Sequence, residues 1–353
     1  EQARCRVAAQ VSEFDPASHF SRGELRAMEP FAQFGVVAAR QAWEQARGAE
    51  LPKDRVAVIT GTGIGGIVSY KSAYDALYAQ EAEAKINAFT IPRMMNNALS
   101  GHIALQLGAT GRNLVLNTAC SSGANAIGLA TEWLRAGTYD AVLCGGAEAP
   151  VTYELLRTWE AMGVLSRSEE APDAVCKPFD MRRDGFVLGE GAGMLLLERE
   201  SSARSRDVEP LAEIVGFASN CDAASLTSPD PRGVVQAMRL ALADADLQPG
   251  DIDCVNLHGT GTRVNDRVEG QALLELFQTD KVPPMVANKS LLGHAMGAAS
   301  AFEALASVLS LQEQYVPLTR NWEEPDEECG VMTLSTSARS ARLCHVLSNS
   351  FAF

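Results

Sequence analysis

The sequence predicts an α/β protein in which strands and helices alternate in layers. Short apolar runs recur along the chain, for example over residues 56–59 and 141–144, and stretches of helical periodicity separate them. Strands that alternate with helices favour mainly parallel sheets with helices on their faces. The same rhythm restarts near residue 220 without a low-complexity linker. We therefore expect one compact body with two similar halves, residues 1–219 and 220–353.

The individual elements follow from the same patterns. In the first half we expect helices over residues 30–47, from 67, over 91–107 and from 120, and strands over 56–60, 113–116, 141–146, 194–198 and 211–217. The last two strands are expected to be antiparallel neighbours. In the second half we expect helices over residues 234–245, 268–277 and 297–312, and strands over 252–257 and 284–287.

Composition limits the class of protein. The chain has 353 residues, 46% hydrophobic and 21% charged, as is typical of a globular protein. Its net charge of −14 argues against a nucleic-acid partner, because non-specific binding to nucleic acid needs a basic surface. No apolar run reaches the roughly 18 residues that span a bilayer, so no membrane partner is expected. The eight cysteines contain no Cys-x-x-Cys pair, which predicts no metal site and favours a reducing cytoplasm.

Residues 61–66 match the G-x-G-x-x-G pattern of dinucleotide-binding loops. That fold requires a second strand, ending in an acidic residue, about 20 residues further on. The stretch 67–85 instead has the pattern of a helix and a polar loop. We therefore disfavour nicotinamide or flavin binding and expect the glycines to permit a tight turn and close packing.

Cys120 is the first candidate catalytic residue. It follows the strand expected over 113–116 and begins an apolar helix, among small residues that leave room for a carbonyl group. Backbone N–H groups and the dipole at a helix start lower the pKa of a thiol and favour the thiolate. Many free cysteines are nevertheless buried structural residues, so the local sequence leaves both interpretations open.

Two histidine loops in the second half could complete this chemistry. His258 follows the strand expected over 252–257, and His294 precedes a helix of small residues. Either histidine alone is more often a structural, hydrogen-bonded group. A cysteine with two neutral imidazoles suits acyl transfer and, better, carbon–carbon bond formation, because an imidazole N–H can stabilise an enolate. Lys289 is expected to influence its neighbours' protonation, and Glu269 is its candidate counter-ion.

Six ordered motifs then resemble a known family. They are residues 118–123 (Thr-Ala-Cys-Ser-Ser-Gly), 145–148 (Gly-Gly-Ala-Glu), 183–193 (Arg-Asp-Gly-Phe-Val-Leu-Gly-Glu-Gly-Ala-Gly), 258–262 (His-Gly-Thr-Gly-Thr), 289–294 (Lys-Ser-Leu-Leu-Gly-His) and 348–353 (Ser-Asn-Ser-Phe-Ala-Phe). The sequence resembles β-ketoacyl-[acyl-carrier-protein] synthases of the KAS II type, which are thiolase-fold condensing enzymes. Its two histidines distinguish it from KAS III relatives, which use His and Asn, and from biosynthetic thiolases, which use a second Cys.

The resemblance implies a thiolase-like five-layer αβαβα fold with two pseudo-duplicated mixed-sheet halves. The implied reaction is a decarboxylative Claisen condensation of a cysteine-bound acyl chain with malonyl carrier protein, which yields 3-oxoacyl carrier protein and CO2. No cofactor is implied, because the substrates are carried on the phosphopantetheine of the acyl carrier protein. A non-elongating chain-length factor and a simple acyltransferase or thioesterase are the alternatives. Fatty-acid and type II polyketide or polyene synthesis both stay open.

The resemblance also implies roles for single residues. Cys120 would take the acyl chain, His258 and His294 would assist decarboxylation and stabilise the enolate, Lys289 would support His294 with Glu269 nearby, Thr260 and Thr262 would bind the phosphopantetheine arm, and Phe351 and Phe353 would lie at the oxyanion hole and gate. The gating residue itself is Phe353. The backbone N–H groups of Cys120 and Phe353 would form the oxyanion hole.

Partners follow from the same resemblance. We expect a homodimer, or a heterodimer with a cysteine-less chain-length factor. An acidic carrier protein would need a local basic patch, for which Arg22, Arg26 and Arg157 are candidates. Residues 263–266, and Ala352 in place of the commoner glycine, resemble type II polyketide or polyene synthases as much as housekeeping ones. An opening strand and a final strand of the family have no counterpart, so we expect both chain ends to be incomplete.

Overall fold

Helices and strands alternate along the described chain. The structure is a computed structural model that describes residues 4–78, 86–277, 282–330 and 333–352. The helices are α1 Pro16–His19, α2 Arg22–Ala27, α3 Pro30–Gln45, α4 Ile67–Tyr78, α5 Thr90–Met94, α6 Ala98–Leu107, α7 Ser122–Arg135, α8 Tyr153–Ala161, α9 Glu200–Ser205, α10 Pro231–Asp244, α11 Arg263–Phe277, α12 Lys289–Leu292 and α13 Ala299–Glu313. The strands are β1 Ala8–Ala9, β2 Val56–Gly61, β3 Asn113–Leu116, β4 Ala141–Glu148, β5 Leu188–Gly189, β6 Gly191–Glu198, β7 Cys254–Asn256, β8 Met285–Val286, β9 Tyr315–Val316, β10 Arg339–Ser340 and β11 Val346–Ser348. Within these ranges, no helix is both long and apolar enough to cross a bilayer.

Two sheets form the framework. The first has the strand order β3-β2-β4-β6, with β2 parallel to both of its neighbours and β6 antiparallel to β4. The second has the order β11-β7-β8 and is parallel throughout. Two short pairs, β1 with β5 and β9 with β10, complete the described pairing of strands. The expected mainly parallel pairing is confirmed.

Helices cover both sheets and separate them from each other. Helices α3 and α6 pack on one face of the first sheet, and α7 packs on the other face. Helix α13 packs against α7 and also contacts β11 of the second sheet. The far side of the second sheet is covered by α10 and α11. The order of layers is therefore α, β, α, β, α, as expected.

The sequence of β2 explains how one strand serves two layers. Its residues are all buried, and successive side chains point to opposite faces of the sheet. Val56 and Val58 lie in the core beneath α3, whereas Ala57 and Ile59 lie in the core beneath α7. An uninterrupted apolar run is what such a doubly covered strand requires.

The helix expected over residues 91–107 is two helices, α5 and α6. The chain leaves the first helix at Met95, whose φ of −67° and ψ of 135° are extended. Two asparagines follow, and asparagine competes with helical hydrogen bonding through its own side chain. Asn96 also packs against the loop after β2, because a Cβ on Gly65 would lie 2.0 Å from its Oδ1. The break therefore serves a tertiary contact.

The prediction of a strand over residues 211–217 is wrong, because this segment pairs with no strand in the structure. Among the described strands, β6 pairs only with β4. Residues 211–217 pack instead between helices. A Cβ on Gly128 of α7 would lie 2.2 Å from the ring of Phe217, and the backbone N–H of Phe217 donates to Asp244 of α10 at 2.9 Å. Of its apolar residues, Ile214 and Phe217 are half-buried in these contacts, whereas Leu211 and Val215 are exposed.

Candidate active site

Cys120 lies on a tight turn between β3 and α7. The turn is a single 3-10 turn, Ala119–Ser121, which runs directly into α7. Ala119 has a φ of 49°, in the left-handed region that non-glycine residues rarely adopt and that often marks functional turns. The Cys120 side chain is only 6% exposed. The sequence placed it in the first turn of α7, and the structure places it immediately before that helix.

His294 approaches Cys120 from the second half of the chain. It follows α12, and two backbone hydrogen bonds hold it beside β5. Its N–H donates to the carbonyl of Val187, the residue before β5, at 2.7 Å, and its own carbonyl accepts from the N–H of Gly189 at 2.9 Å. Its Nε2 lies 3.1 Å from Cys120 Sγ. A thiol and an imidazole at this distance can exchange a proton.

His258 completes a three-residue centre. It follows β7, and its ring meets the His294 ring edge-on, with centroids 5.5 Å apart. One nitrogen of each ring and Cys120 Sγ all lie within 4.8 Å of one another. All three residues are among those predicted from the sequence, and the structure brings them together.

Glu269 holds the His258 loop, and its expected role as the Lys289 counter-ion is wrong. Its carboxylate accepts from the backbone N–H groups of His258 and Gly259, each at 2.8 Å. Asn349 Nδ2 donates to the same carboxylate at 3.3 Å. Glu269 projects from α11, which begins just after the His258 loop, so the short sequence separation favours this contact with the loop backbone.

The counter-ion of Lys289 is Glu303 of α13, and both side chains are 2% exposed. Lys289 Nζ also donates to the carbonyl of His258 at 2.6 Å and lies 3.2 Å from His258 Nδ1. Its direct imidazole contact is therefore with His258, whereas the expectation was His294. Sequence reasoning missed Glu303, although a signal existed: Glu303 is the one charged residue of α13 before the helix's last position.

Burial controls the proton affinities of the centre. It raises the pKa of Cys120 to about 12, and the positive charge of Lys289 only partly opposes this rise. The expected lowering of the thiol pKa by the helix start is therefore wrong for the resting site. Burial, with Lys289 nearby, holds the pKa of both His258 and His294 well below the usual value. At neutral pH the centre holds a neutral thiol and two neutral imidazoles.

The remaining predicted residues surround the same opening. Thr260 Oγ1 and Thr262 Oγ1 are 2.8 Å apart, and the Phe351 ring lies 6.0 Å from the His258 ring, edge-on. With Cys120 and both histidines, they line one open cavity of about 2300 Å³. Phe353, the predicted gate and second oxyanion donor, lies outside the described residues.

The same three side chains are also a possible metal site. A thiolate with two imidazoles is a donor set that zinc accepts. Cys120, His258 and His294 are buried and close enough to share one ion. A metal there would occupy the sulfur lone pairs that nucleophilic chemistry needs, so the two uses of the site exclude each other.

Comparison with known proteins identifies the family. Residues 2–203 match the family "Beta-ketoacyl synthase, N-terminal domain", and residues 211–323 match "Beta-ketoacyl synthase, C-terminal domain". The chain is 37% identical to a 3-oxoacyl-[acyl-carrier-protein] synthase 2 of Synechocystis, over 99% of this chain and 85% of the relative. It is 36% identical to the protein of that name from Coxiella burnetii, over 98% of this chain and 85% of the relative.

Solved structures agree with the sequence relatives. A β-ketoacyl synthase from Burkholderia phymatum superposes with a TM-score of 0.93 at 32% identity, over 100% of this chain and 86% of that one. The ishigamide ketosynthase/chain length factor superposes with a TM-score of 0.91 at 34% identity, over 98% of this chain and 85% of that one. The predicted resemblance and the five-layer α/β fold are thereby confirmed. The chain belongs to the β-ketoacyl synthase family.

Proposed function

We propose that the chain is a 3-oxoacyl-[acyl-carrier-protein] synthase that condenses a Cys120-bound acyl chain with malonyl carrier protein, releasing CO2. The observation that carries this proposal is the convergence of Cys120 Sγ with one nitrogen each of His258 and His294, within 4.8 Å. A nucleophile, a base and an enolate stabiliser are the three functions that this reaction needs.

In the first half-reaction, Cys120 Sγ attacks the thioester carbon of the acyl carrier protein. Because the resting thiol is protonated, His294 Nε2 accepts its proton as the new carbon–sulfur bond forms. The backbone N–H of Cys120 is a donor for the developing oxyanion. The thioester bond to the phosphopantetheine sulfur then breaks, and that sulfur leaves with the proton held by His294.

In the second half-reaction, the malonyl group loses CO2 and the released electron pair becomes an enolate. Lys289 can only donate hydrogen bonds, so His258 Nδ1 accepts from it and the ring proton is on Nε2. We propose that this Nε2–H donates to the enolate oxygen, with His294 beside it. The enolate carbon attacks the acyl thioester on Cys120, the carbon–sulfur bond breaks, and the cysteine leaves as a thiolate that is then protonated.

The partners in this proposal are an acyl carrier protein and a second subunit. Related structures contain both kinds of partner: one is described as a type II PKS acyl-carrier protein in complex with its ketosynthase, and another as a ketosynthase in complex with its chain length factor. In this chain, β3 has β2 as its described neighbour and exposes Leu114, so its other edge could accept a strand. We propose a homodimer, or a heterodimer with a chain-length factor.

Carrier-protein docking is proposed on the exposed side chains of Arg22 and Arg26 in α2. Arg157, the third candidate, is half-buried and pairs with Glu160 at 3.2 Å, so its charge is already engaged. We also propose a cytoplasmic location, because all eight cysteines are free. We propose in addition that the chemistry needs no metal or other cofactor.

The test is an elongation assay by mass spectrometry. The protein is incubated with an acyl carrier thioester and malonyl carrier protein, and a 3-oxo product two carbons longer than the acyl chain is expected. Cys120 acylation without elongation would indicate an acyltransferase, and CO2 release without elongation would indicate a decarboxylating partner. If neither the elongated product nor an acylated Cys120 is detected, the proposal is overturned. The presence of Cys120, both histidines and Lys289 argues against a purely structural chain-length factor.

A further inference from the structure

The glycine-rich loop of residues 61–66 binds a carboxylate of the chain itself. Glu148, the last residue of β4, is fully buried. It accepts hydrogen bonds from the Thr62 hydroxyl at 3.0 Å and from the backbone N–H groups of Gly63, Ile64 and Gly65. The donors that a nucleotide phosphate would use in such a loop are therefore occupied by Glu148.

Glu148 also reaches the loop that carries His294. The backbone N–H of Gly297, three residues after His294, donates to Glu148 Oε2 at 3.0 Å. Gly63 donates to that same oxygen, so one atom joins the two loops. Packing there is close: a Cβ on Gly297 would lie 2.4 Å from the Gly63 nitrogen. The carboxylate thus links a loop of the first half to the histidine loop of the second.

The glycine-rich loop also contacts the turn of the nucleophile. Asn117 Nδ2, three residues before Cys120, donates to Gly63 O at 2.9 Å. A Cβ on Gly61 would lie 2.3 Å from the backbone of Ser122, so the loop rests directly on the start of α7. One face of the loop therefore touches the Cys120 turn, and Glu148 connects its other side to the His294 loop.

We propose that Glu148 is a positioning residue that sets the distance between Cys120 Sγ and His294 Nε2. His294 is already tied to Val187 and Gly189 at its own backbone. Glu148 fixes the following residues of the same loop, so that the imidazole cannot shift relative to the thiol. An amide in place of the carboxylate would direct an NH2 group at N–H donors, which repels one of the loops.

The test uses Cys120 alkylation by iodoacetamide, which needs no carrier protein. The proposal rests on the proposed function only for its meaning in catalysis, and alkylation can succeed or fail whatever the elongation assay gives. The rate of Cys120 modification is followed by mass spectrometry of its peptide at pH 8. In Glu148→Gln we expect a rate about tenfold lower than in the unchanged chain, since misplacing a catalytic group by ~1 Å can cost up to about a hundredfold.

A double variant separates positioning from general loosening of the structure. If Glu148 acts through His294, Cys120 should be alkylated no more slowly in the double variant Glu148→Gln with His294→Ala than in His294→Ala alone. Glu29→Gln is the matched control, because Glu29 is also a buried glutamate that accepts from two backbone N–H groups, those of Val68 and Ser69. We expect this control to alkylate at the original rate.

Thr62→Val keeps the proposal testable if Glu148→Gln fails to fold. It removes one donor to Glu148 and no charge, and we expect alkylation to slow by about threefold. An unchanged or faster rate in Glu148→Gln, or in Thr62→Val where Glu148→Gln does not fold, would overturn the proposal. Multiplicative slowing in the double variant would overturn it as well.

Discussion

His294 Nε2 lies 3.1 Å from Cys120 Sγ, although 174 positions separate the two residues in sequence. Each residue stands on its own loop, one after β3 and one after α12, and the two loops come from different halves. The contact matters because burial keeps the thiol protonated at rest. In the proposed mechanism Cys120 therefore depends on His294 for its deprotonation.

The first prediction concerns the pH dependence of Cys120 alkylation. Burial raises the thiol pKa to about 12, so the thiolate fraction rises as pH rises and stays small below that value. In His294→Ala, which lacks the base proposed for the thiol, the rate with iodoacetamide should increase steadily from pH 7 to pH 10 without a plateau. Peptide-resolved mass spectrometry separates Cys120 from the exposed Cys221 and Cys344. A plateau below pH 8 would contradict this and would restore the lowered pKa expected from the helix start.

The second prediction separates the two half-reactions. Cys120→Ala should abolish elongation, because no acyl thioester can form, yet leave decarboxylation of malonyl carrier protein measurable. His294→Ala should lose both, because in the proposed mechanism His294 is the base of the first step and lies beside the enolate in the second. Release of labelled CO2 and formation of the 3-oxo product are measured in parallel. Elongation at the normal rate in His294→Ala would remove His294 from the mechanism.

The sequence predicted a strand or helix correctly where the local pattern of residues determines how the segment is buried. Every position of β2 is buried because both faces of the strand are covered, and the strand was predicted almost to the residue. Residues 211–217 have a similar composition but meet α7 and α10, and no local pattern reports which partner a strand-like segment will find. Pairing is a property of the fold rather than of the segment.

The site was predictable in its residue types and less so in its contacts. Cys120, His258, His294 and Lys289 stand in motifs that indicate chemistry, and all four meet. The counter-ion was misassigned because Glu269 is closer to the histidine loop in sequence, whereas Glu303 reaches Lys289 from α13. The thiol pKa was misjudged for a related reason: the helix start is local, and the burial that dominates it comes from the whole fold.

The third prediction concerns the buried pair of Lys289 and Glu303. Glu303→Ala leaves the Lys289 ammonium without its counter-ion, and breaking a buried pair in this way typically costs about 3–5 kcal/mol. The free energy of unfolding, measured in urea, should fall by a similar amount. Lys289→Met with Glu303→Leu should recover much of the stability but not the decarboxylation, because His258 Nδ1 then lacks its donor. An unchanged urea midpoint in Glu303→Ala would contradict the pairing.

The fourth prediction concerns metal ions. Zinc should inhibit Cys120 alkylation and elongation together, because it would bind the sulfur and the two imidazoles that both reactions use. Treatment with a chelator should leave elongation unchanged, since no proposed step uses a metal. Cys120→Ala is the control and should bind zinc more weakly by calorimetry. Loss of elongation with the chelator and its return with zinc would show that the site works as a metal centre.

The fifth prediction concerns carrier-protein docking. The chain has a net charge of −14, so an acidic carrier protein must overcome repulsion through a local positive surface, for which we propose Arg22 and Arg26 of α2. Reversing both charges to glutamate should raise the apparent KM for malonyl carrier protein by about tenfold, with kcat little changed, because rim charges act mainly on association. The KM effect should shrink as salt is added. Arg232→Glu with Arg239→Glu on α10 makes the same change in net charge away from α2 and is the matched control. Equal effects of the two double variants would place docking elsewhere, because a change in overall charge would then account for the whole result.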